Sequence, residues 1–154
     1  LVTKKGDQLL LQEALSKGRV FGLFSVFGDP LGFSFTGQAA GAALTLGDKA
    51  KGPVTLTATL PTLPRSLGGA PISATDAPKA TVRLELLHTD SAGTVAVKHA
   101  AGLGQKLTWT TSLKGAYHVE LYVKPGHLET ALGTSKALAK NEYLWAITNP
   151  IIVE

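Results

Sequence analysis

The sequence predicts one β-sandwich domain: all-β with mainly antiparallel strands in an immunoglobulin-like or jelly-roll-like arrangement, plus one short N-terminal helix. Three observations predict this fold class. Short segments that are apolar, or that alternate between apolar and polar residues, recur along the chain, and turn signals separate them roughly every ten residues. The 154 residues include 17 glycines and 8 prolines, so the chain turns often. With 44% hydrophobic and 17% charged residues, the chain is apolar enough to bury a core.

Residues 7–17 form the one predicted helix. Asp7 is the expected N-cap, because its carboxylate can accept hydrogen bonds from the first free backbone N–H groups. Apolar residues recur at spacings of three and four and so share one face, namely Leu10, Leu11, Ala14 and Leu15. Gly18 is expected to end the helix in the left-handed conformation. A helix this short is not stable alone in water, so its apolar face is expected to dock on another part of the protein.

The first half of the chain contains four predicted strands, at 20–24, 32–36, 43–46 and 54–60. The first of these, 20–24, is apolar throughout and is expected to be buried. The clearest is 54–60, in which every second residue is apolar with threonines between, and Pro61 closes it. Residues 61–80 follow with four prolines and two adjacent glycines, and they are predicted to form a long loop.

The second half repeats this pattern. Its strand-like segments are separated by turn signals such as Lys114-Gly115 and Asn149-Pro150. The predicted strands are 81–87, 93–98, 107–110, 116–123, 143–147 and 151–153. Residues 127–140 suggest a helical turn that Gly133 interrupts. Many short strands separated by turns favour two packed sheets.

The histidines are the residues that most suggest a metal or acid–base site. His88 and His99 could approach each other across a hairpin, but Asp90 is the only nearby carboxylate and a third ligand is missing. We therefore expect His88 and His99 to be surface polar residues. His118 and Glu120 share one strand face, an arrangement that suits proton transfer but is more often an ordinary solvated contact. The chain has no cysteine, and no phosphate-binding loop, nucleophile elbow or HExxH motif occurs. We therefore predict no catalytic, cofactor-binding or metal-binding residue in this chain.

Composition also bears on partners. The net charge is +4, but only three of the fifteen cationic residues are arginine and the lysines are scattered, so no nucleic-acid partner is predicted. No apolar run approaches the roughly 20 residues of a membrane span. Trp145 lies in an apolar run that is typical of a core. It is nevertheless one of five aromatic residues that could form a sugar-stacking platform, namely Trp109, Tyr117, Tyr122, Tyr143 and Trp145.

Two stretches of the sequence carry a family resemblance. The first is ALSKGRVFGLFSVFGDPLGFSFTG at residues 14–37, and the second is GAYHVELY at 115–122 followed by WAITNPIIV at 145–153. Together they resemble the C-terminal part of bacterial PHP (polymerase and histidinol phosphatase) superfamily proteins in which a β-sandwich follows the metal-dependent hydrolase barrel. In those members a pattern GxYRVEvy … W…SNPIyV closes the chain. His118 stands where such members often have Arg, and Thr148 where Ser is usual.

This resemblance implies a non-catalytic accessory domain of a larger metal-dependent phosphoesterase. The divalent-metal ligands of the parent would lie upstream of residue 1, and the first residue, Leu, in a chain without Met fits a fragment or a trimmed product. Residues 1–19 would be the junction to the upstream domain and 20–154 the sandwich. The resemblance fits the bacterial cytoplasm and the periplasm equally and does not identify the compartment. Four apolar residues are expected to face the hydrolase barrel, namely Leu10, Leu11, Val20 and Leu23. Two alternatives are a stand-alone module that binds carbohydrate or protein, and a small autonomous hydrolase that uses the histidines.

Overall fold

The structure, a computed structural model, describes residues 5–62, 64–65, 75 and 79–154. Within these residues a seven-stranded sheet and a four-stranded sheet pack face to face as a sandwich, which confirms the predicted fold class. One helix stands at the N-terminal end, and a second helical segment lies between two strands of the larger sheet.

The helices are α1 (Lys5–Ser16) and α2 (Glu129–Leu132), and 3-10 turns cover Ser25–Phe27, Gly126–Leu128 and Gly133–Lys140. The strands of the first half are β1 (Phe21–Leu23), β2 (Asp29–Pro30), β3 (Ser34–Ala39), β4 (Ala42–Leu44), β5 (Lys49–Ala50), β6 (Val54–Thr59) and β7 (Pro64–Arg65). Those of the second half are β8 (Ala80–Asp90), β9 (Gly93–Ala101), β10 (Lys106–Thr111), β11 (Gly115–Pro125), β12 (Tyr143–Thr148) and β13 (Ile151–Val153).

Strand β11 organises the seven-stranded sheet. One edge of β11 pairs with β8 from Ala116 to Pro125, and β9 pairs with the other edge of β8. The opposite edge of β11 is shared, since β13 pairs with its first residues and β12 with residues 120–123. Strand β1 pairs with β12, and the short β5 pairs in parallel with β13. Strands β9, β1 and β5 are therefore the edges of this sheet.

The four-stranded sheet has the order β10-β6-β3-β4, and β6 pairs along its whole length with both neighbours. Strands β3 and β4 form a hairpin whose turn residues, Ala40 and Gly41, have φ angles of 47° and 82°. Positive φ at both positions is the type I′ geometry that matches the twist of the flanking strands. Strands β2 and β7 form a separate two-stranded pair.

Alternate side chains of the two sheets fill the space between them. The predicted alternation of β6 is confirmed, because Val54, Leu56 and Ala58 are fully buried while the threonines between them are partly exposed. Facing them are the inward residues of β8 and β11, namely Val82, Leu84, Leu86, Tyr117, Val119, Leu121 and Val123. Burying one such aliphatic side chain contributes about 1.5–3 kcal/mol, so this interior holds the fold together.

Helix α1 begins earlier than predicted, at Lys5, so Asp7 lies inside the first turn and is not the N-cap. Its negative charge still suits the positive end of the helix dipole. The predicted end of the helix is confirmed. Gly18 has a φ of 67°, its N–H donates to the Leu15 carbonyl, and the N–H of Arg19 donates to the Ala14 carbonyl. These two hydrogen bonds form a Schellman motif, which satisfies carbonyls at the helix end.

Two other expectations need correction. The segment 20–24 was expected to be buried, but β1 is an edge strand and residues 21–24 are exposed. The predicted loop 61–80 contains strand β7, and residues 63, 66–74 and 76–78 of that loop lie outside the described residues. The interruption at Gly133 is confirmed, because α2 ends at Leu132 and Gly133 has a φ of 53°. The helical structure around it is longer than one turn.

Candidate functional site

The N-terminal part of the chain exposes an unusual amount of apolar surface. Among the described residues twelve large apolar side chains are exposed, and nine of them lie between residues 9 and 31. These nine define what we call the N-terminal apolar surface: Leu9, Leu10, Leu11, Leu15, Phe21, Leu23, Phe24, Val26 and Leu31. Large groups of exposed apolar side chains are uncommon on soluble monomers and mark surfaces that contact a partner.

Helix α1 contributes the first part of this surface. Leu10 is 64% exposed and Leu15 is 56% exposed, so the apolar stripe of the helix is not covered by the described part of the chain. Lys17 forms an ion pair with Glu13 at 2.5 Å on the exposed helix surface. The expected docking of the helix is therefore not made within the described residues.

Strand β1 contributes the second part. Phe21 pairs with Thr148 and Leu23 with Ala146, two buried residues, so both side chains lie on the interior side of the sheet. They nevertheless remain 49% and 36% exposed. Phe33 makes an edge-to-face contact with Phe21, at a centroid distance of 6.0 Å. The sandwich is thus open along β1, because the sheet opposite does not cover this edge strand.

The 3-10 turn Ser25–Phe27 contributes the third part, and buried groups hold it in place. The indole Nε1 of Trp145 donates to the Gly28 carbonyl at 2.9 Å, and the Phe24 N–H donates to the Trp145 carbonyl at 2.8 Å. Nε2 of the buried His127 donates to the Phe27 carbonyl at 3.1 Å. Trp145 reaches this turn from a β-bulge, where the register of β11 and β12 shifts. The exposed Phe24 and Val26 therefore stand on a fixed backbone.

A turn near the C-terminal end holds the other side of the surface. The Asn149 side-chain amide donates to the Gly18 carbonyl at 3.0 Å, and its backbone N–H donates to the Val20 carbonyl at 3.2 Å. Gly47 packs so closely on Lys17 that an added Cβ would lie 1.7 Å from the Lys17 carbonyl oxygen. Thus the junction between α1 and β1 is fixed to the sandwich by hydrogen bonds from Asn149.

The predicted barrel-facing residues all lie in this region. Leu10, Leu11 and Leu23 are exposed and Val20 is partly buried, so their role in an interface stays a prediction. The exposure of Phe24 was not predicted, because it ends the apolar run 20–24 that predicts a buried strand, and Val26 follows that run without a signal of its own. The hydrogen bonds of Asn149 to residues 18 and 20 were also missed, since Asn149 was interpreted only as a turn residue.

Next to the turn Ser25–Phe27 lies an apolar pocket of about 230 Å³. Its walls come from that turn, the end of β11, the helical segment 126–140 and the start of β12, and the lining residues are Val26, Phe27, Pro125, Leu128, Leu132, Leu138 and Tyr143. Two of them, Val26 and Leu138, are exposed at the surface. The pocket therefore adjoins the N-terminal apolar surface through Val26.

The structure does not bring the two histidines of the β8–β9 hairpin together. His88 is buried beside Tyr117, at a ring distance of 4.8 Å, and its Nε2 donates to the Lys114 carbonyl. His99 pairs with Glu85 on the outer face of the sheet and is exposed. Within the described ranges no three His, Asp or Glu side chains are positioned to hold a metal ion.

His118 and Glu120 do share the outer face of the seven-stranded sheet, with 3.9 Å between His118 Nε2 and a Glu120 carboxylate oxygen. Burial lowers the pKa of His118. The Tyr122 hydroxyl donates to Glu120, and this hydrogen bond raises the pKa of Tyr122 to about 12. Arg83 stacks on the Tyr122 ring at 4.2 Å. This group is a network of mutually satisfied polar side chains on a sheet face.

The five aromatic residues named above do not form an exposed platform. Trp145 and Tyr117 belong to the core, as predicted for Trp145. Trp109 is only partly exposed, and the ammonium group of Lys98 lies over its ring at 5.8 Å. A carbohydrate site based on stacking therefore finds little support in their positions.

No helix of the described segments has the length and apolar character needed to cross a bilayer. Comparisons with known protein families, with characterised proteins and with solved structures give no match.

Proposed function

We propose that this chain is a non-catalytic accessory β-sandwich domain that packs through its N-terminal apolar surface against an upstream hydrolase domain of the same polypeptide. That upstream domain would be a PHP-type metal-dependent phosphoesterase, and the divalent metals and the hydrolytic chemistry would belong to it. One observation carries the docking part of this proposal: exposed apolar side chains are concentrated at residues 9–31, and within this range hydrogen bonds from the buried His127 and Trp145 fix the turn at Phe27 and Gly28.

The energetics of helix α1 favour a partner. A helix of 12 residues is marginal in water unless it packs its apolar face. Complete burial of a leucine side chain contributes about 1.5–3 kcal/mol, so covering the exposed parts of Leu10, Leu11 and Leu15 on its apolar face would offset part of the cost of ordering the helix. A domain in the same polypeptide is already held nearby, which raises its effective concentration to the millimolar range for short linkers.

Neither outer face of the sandwich is as well suited to docking. On the seven-stranded sheet, Arg83 donates to both Glu85 and Glu142, and burying such ion pairs carries a large desolvation cost. The outer face of the four-stranded sheet carries hydroxyl groups, which water solvates well, on Thr36, Thr55, Thr57, Thr108 and Thr110. The N-terminal apolar surface is the region where contact with a partner removes mainly apolar area from water.

The sequence resemblance supports the same assignment. Trp145 and Asn149, which lie in the closing WAITNPIIV stretch, are the residues that hydrogen-bond the carbonyls of Gly28 and Gly18. The motif therefore has a physical role in this chain, because it holds both ends of the segment that carries β1 and the exposed turn.

The first experiment is to measure the intact mass of the natural gene product in its source cells, using an antibody raised against this chain. We expect a product tens of kilodaltons larger than the 16.0 kDa of this chain, with phosphoesterase activity that depends on divalent metal. A product near 16 kDa would contradict the proposal and favour a domain that acts alone.

Amide hydrogen exchange then tests the docking surface directly. We expect amides of α1 and β1 to exchange more slowly in the longer polypeptide than in this chain alone, because contact with the upstream domain would protect them. Strand β9 provides the matched control, since it is also an edge strand and its exchange should not change. Equal exchange of α1 and β1 in both samples would exclude this surface as the interface.

A further inference from the structure

The apolar pocket beside the turn Ser25–Phe27 carries an inference of its own. We infer that it is a binding site for one uncharged apolar group, about the size of a single aromatic ring or a branched alkyl group. Its volume of about 230 Å³ and its lining by aliphatic and aromatic side chains define this ligand class. An enclosed apolar cavity of about 150 Å³ in another protein takes up benzene, so the volume of this pocket, which is open to solvent beside Val26 and Leu138, has room for a substituted ring.

The lining offers almost nothing polar to a ligand. The hydroxyl of Tyr143 donates to the Leu138 carbonyl at 3.0 Å, so its proton is already used within the wall. The other side walls are the aliphatic side chains of Val26, Leu128 and Leu132. A charged ligand would lose hydration without compensation there, whereas an apolar group would displace water that finds few hydrogen-bond partners.

The pocket is also preformed. Phe27 and Tyr143 stack with their ring centroids 5.2 Å apart and together form one wall. On one side His127 holds the Phe27 carbonyl, and on the other the Tyr143 hydroxyl holds the helical segment at Leu138. Because hydrogen bonds fix the Phe27–Tyr143 wall and join it to the backbone at Leu138, binding requires little ordering of this wall, which favours affinity for a small group.

Two sources could supply such a group. One is a free small molecule. The other is a projecting apolar side chain of the upstream domain, since Val26 belongs to both the pocket and the N-terminal apolar surface. The second source rests on the proposed function, whereas the chemistry of the pocket does not.

The test is a titration of the isotopically labelled chain with toluene, followed by NMR. We expect saturable shifts of the methyl groups of Val26, Leu132 and Leu138. Val26→Asp places a charge at the mouth and should weaken toluene binding about tenfold or more, which corresponds to about 1.4 kcal/mol. Val95→Asp is the control, because Val95 and Val26 are both 58% exposed and Val95 lies outside the pocket lining. Leu132→Trp fills the pocket with its own side chain and should abolish binding.

The outcomes separate the possibilities. Absence of saturable binding to this chain, or equal binding by Val26→Asp and Val95→Asp, would overturn the inference and leave the proposed docking of α1 and β1 intact. If toluene binds this chain but not the longer natural polypeptide, a side chain of the upstream domain is the occupant. If toluene binds both equally, the pocket takes a free molecule.

Discussion

Two apolar regions of this protein are both rich in leucine, but the leucines of one are buried and those of the other are exposed. Between the sheets, Leu84, Leu86 and Leu121 are completely buried. On helix α1, Leu10 and Leu15 project from an equally regular apolar stripe and remain mostly exposed. The comparison shows that sequence periodicity identifies the apolar face of a helix or strand. Periodicity does not show whether another part of the same chain packs against that face.

The largest expected effect comes from the covered region. Leu121→Ala should lower the free energy of unfolding by about 2–5 kcal/mol, because it leaves a cavity in a close-packed core. Chemical denaturation of this chain measures the change directly. A loss below about 1 kcal/mol would show that Leu121 is not in a close-packed environment and would remove the basis of the comparison.

The next effect concerns the hydrogen bond by which the buried Trp145 holds the exposed turn Ser25–Phe27. Trp145→Phe removes the hydrogen bond to the Gly28 carbonyl and should cost about 1–3 kcal/mol if that carbonyl is left unsatisfied. Trp109→Phe is a matched control, because Trp109 Nε1 is buried without a hydrogen-bond partner in the described structure. Trp145→Phe should also speed amide exchange at Phe24 and Phe27. Equal destabilisation by both substitutions would mean that the Trp145 hydrogen bond does not fix the turn.

A smaller effect is expected in the exposed region. Leu15→Gln and Leu113→Gln, at sites 56% and 58% exposed, should each change the stability of this chain by no more than about 0.5 kcal/mol. In the longer polypeptide, Leu15→Gln should weaken protection of α1 in amide exchange, whereas Leu113→Gln should not. If Leu15→Gln strongly destabilises this chain alone, the helix is already docked in solution and the contrast between the two regions disappears.

The smallest effect is a pH dependence on the outer face of the larger sheet. Burial lowers the pKa of His118 in the folded state, so the unfolded chain binds that proton more readily. The free energy of unfolding therefore keeps its full value above the ordinary histidine pKa of about 6.5, and protonation of His118 lowers it as the pH falls below that value. Comparing His118→Gln with the unchanged protein in denaturation at pH 5 and pH 8 isolates this contribution. A pH dependence that is the same in both proteins would contradict it.

Local patterns predicted the parts of the fold that depend on local chemistry. The alternation of β6 identified a half-buried strand, and Gly18 identified the end of α1. The expectation that His88 is a surface polar residue was wrong, because it is buried. The signal was present in the sequence, since His88 continues the alternation of Val82, Leu84 and Leu86 along one strand. His99 was harder to place, since the register of β8 and β9 shifts between Leu86 and Leu87.

Features that depend on distant partners could not be predicted. Nothing near Phe21 indicates that the opposite sheet will leave β1 uncovered. The parallel pairing of Lys49 with Ile152 and the hydrogen bond from Asn149 to Gly18 join residues more than a hundred positions apart. The β-bulge that directs Trp145 to Gly28 is likewise a property of two paired strands, so it has no local signature.

The hydrogen bonds that join residues 18–28 to Trp145 and Asn149 have a consequence for folding during translation. Trp145 and Asn149 hydrogen-bond the carbonyls of Gly28 and Gly18, and among the described residues β1 pairs only with β12. During translation the N-terminal segment therefore has to wait until residues 145–149 have left the ribosome. Until then this segment has no fixed conformation, and polypeptides that stop short of Trp145 would remain in that state as substrates for chaperones and proteases.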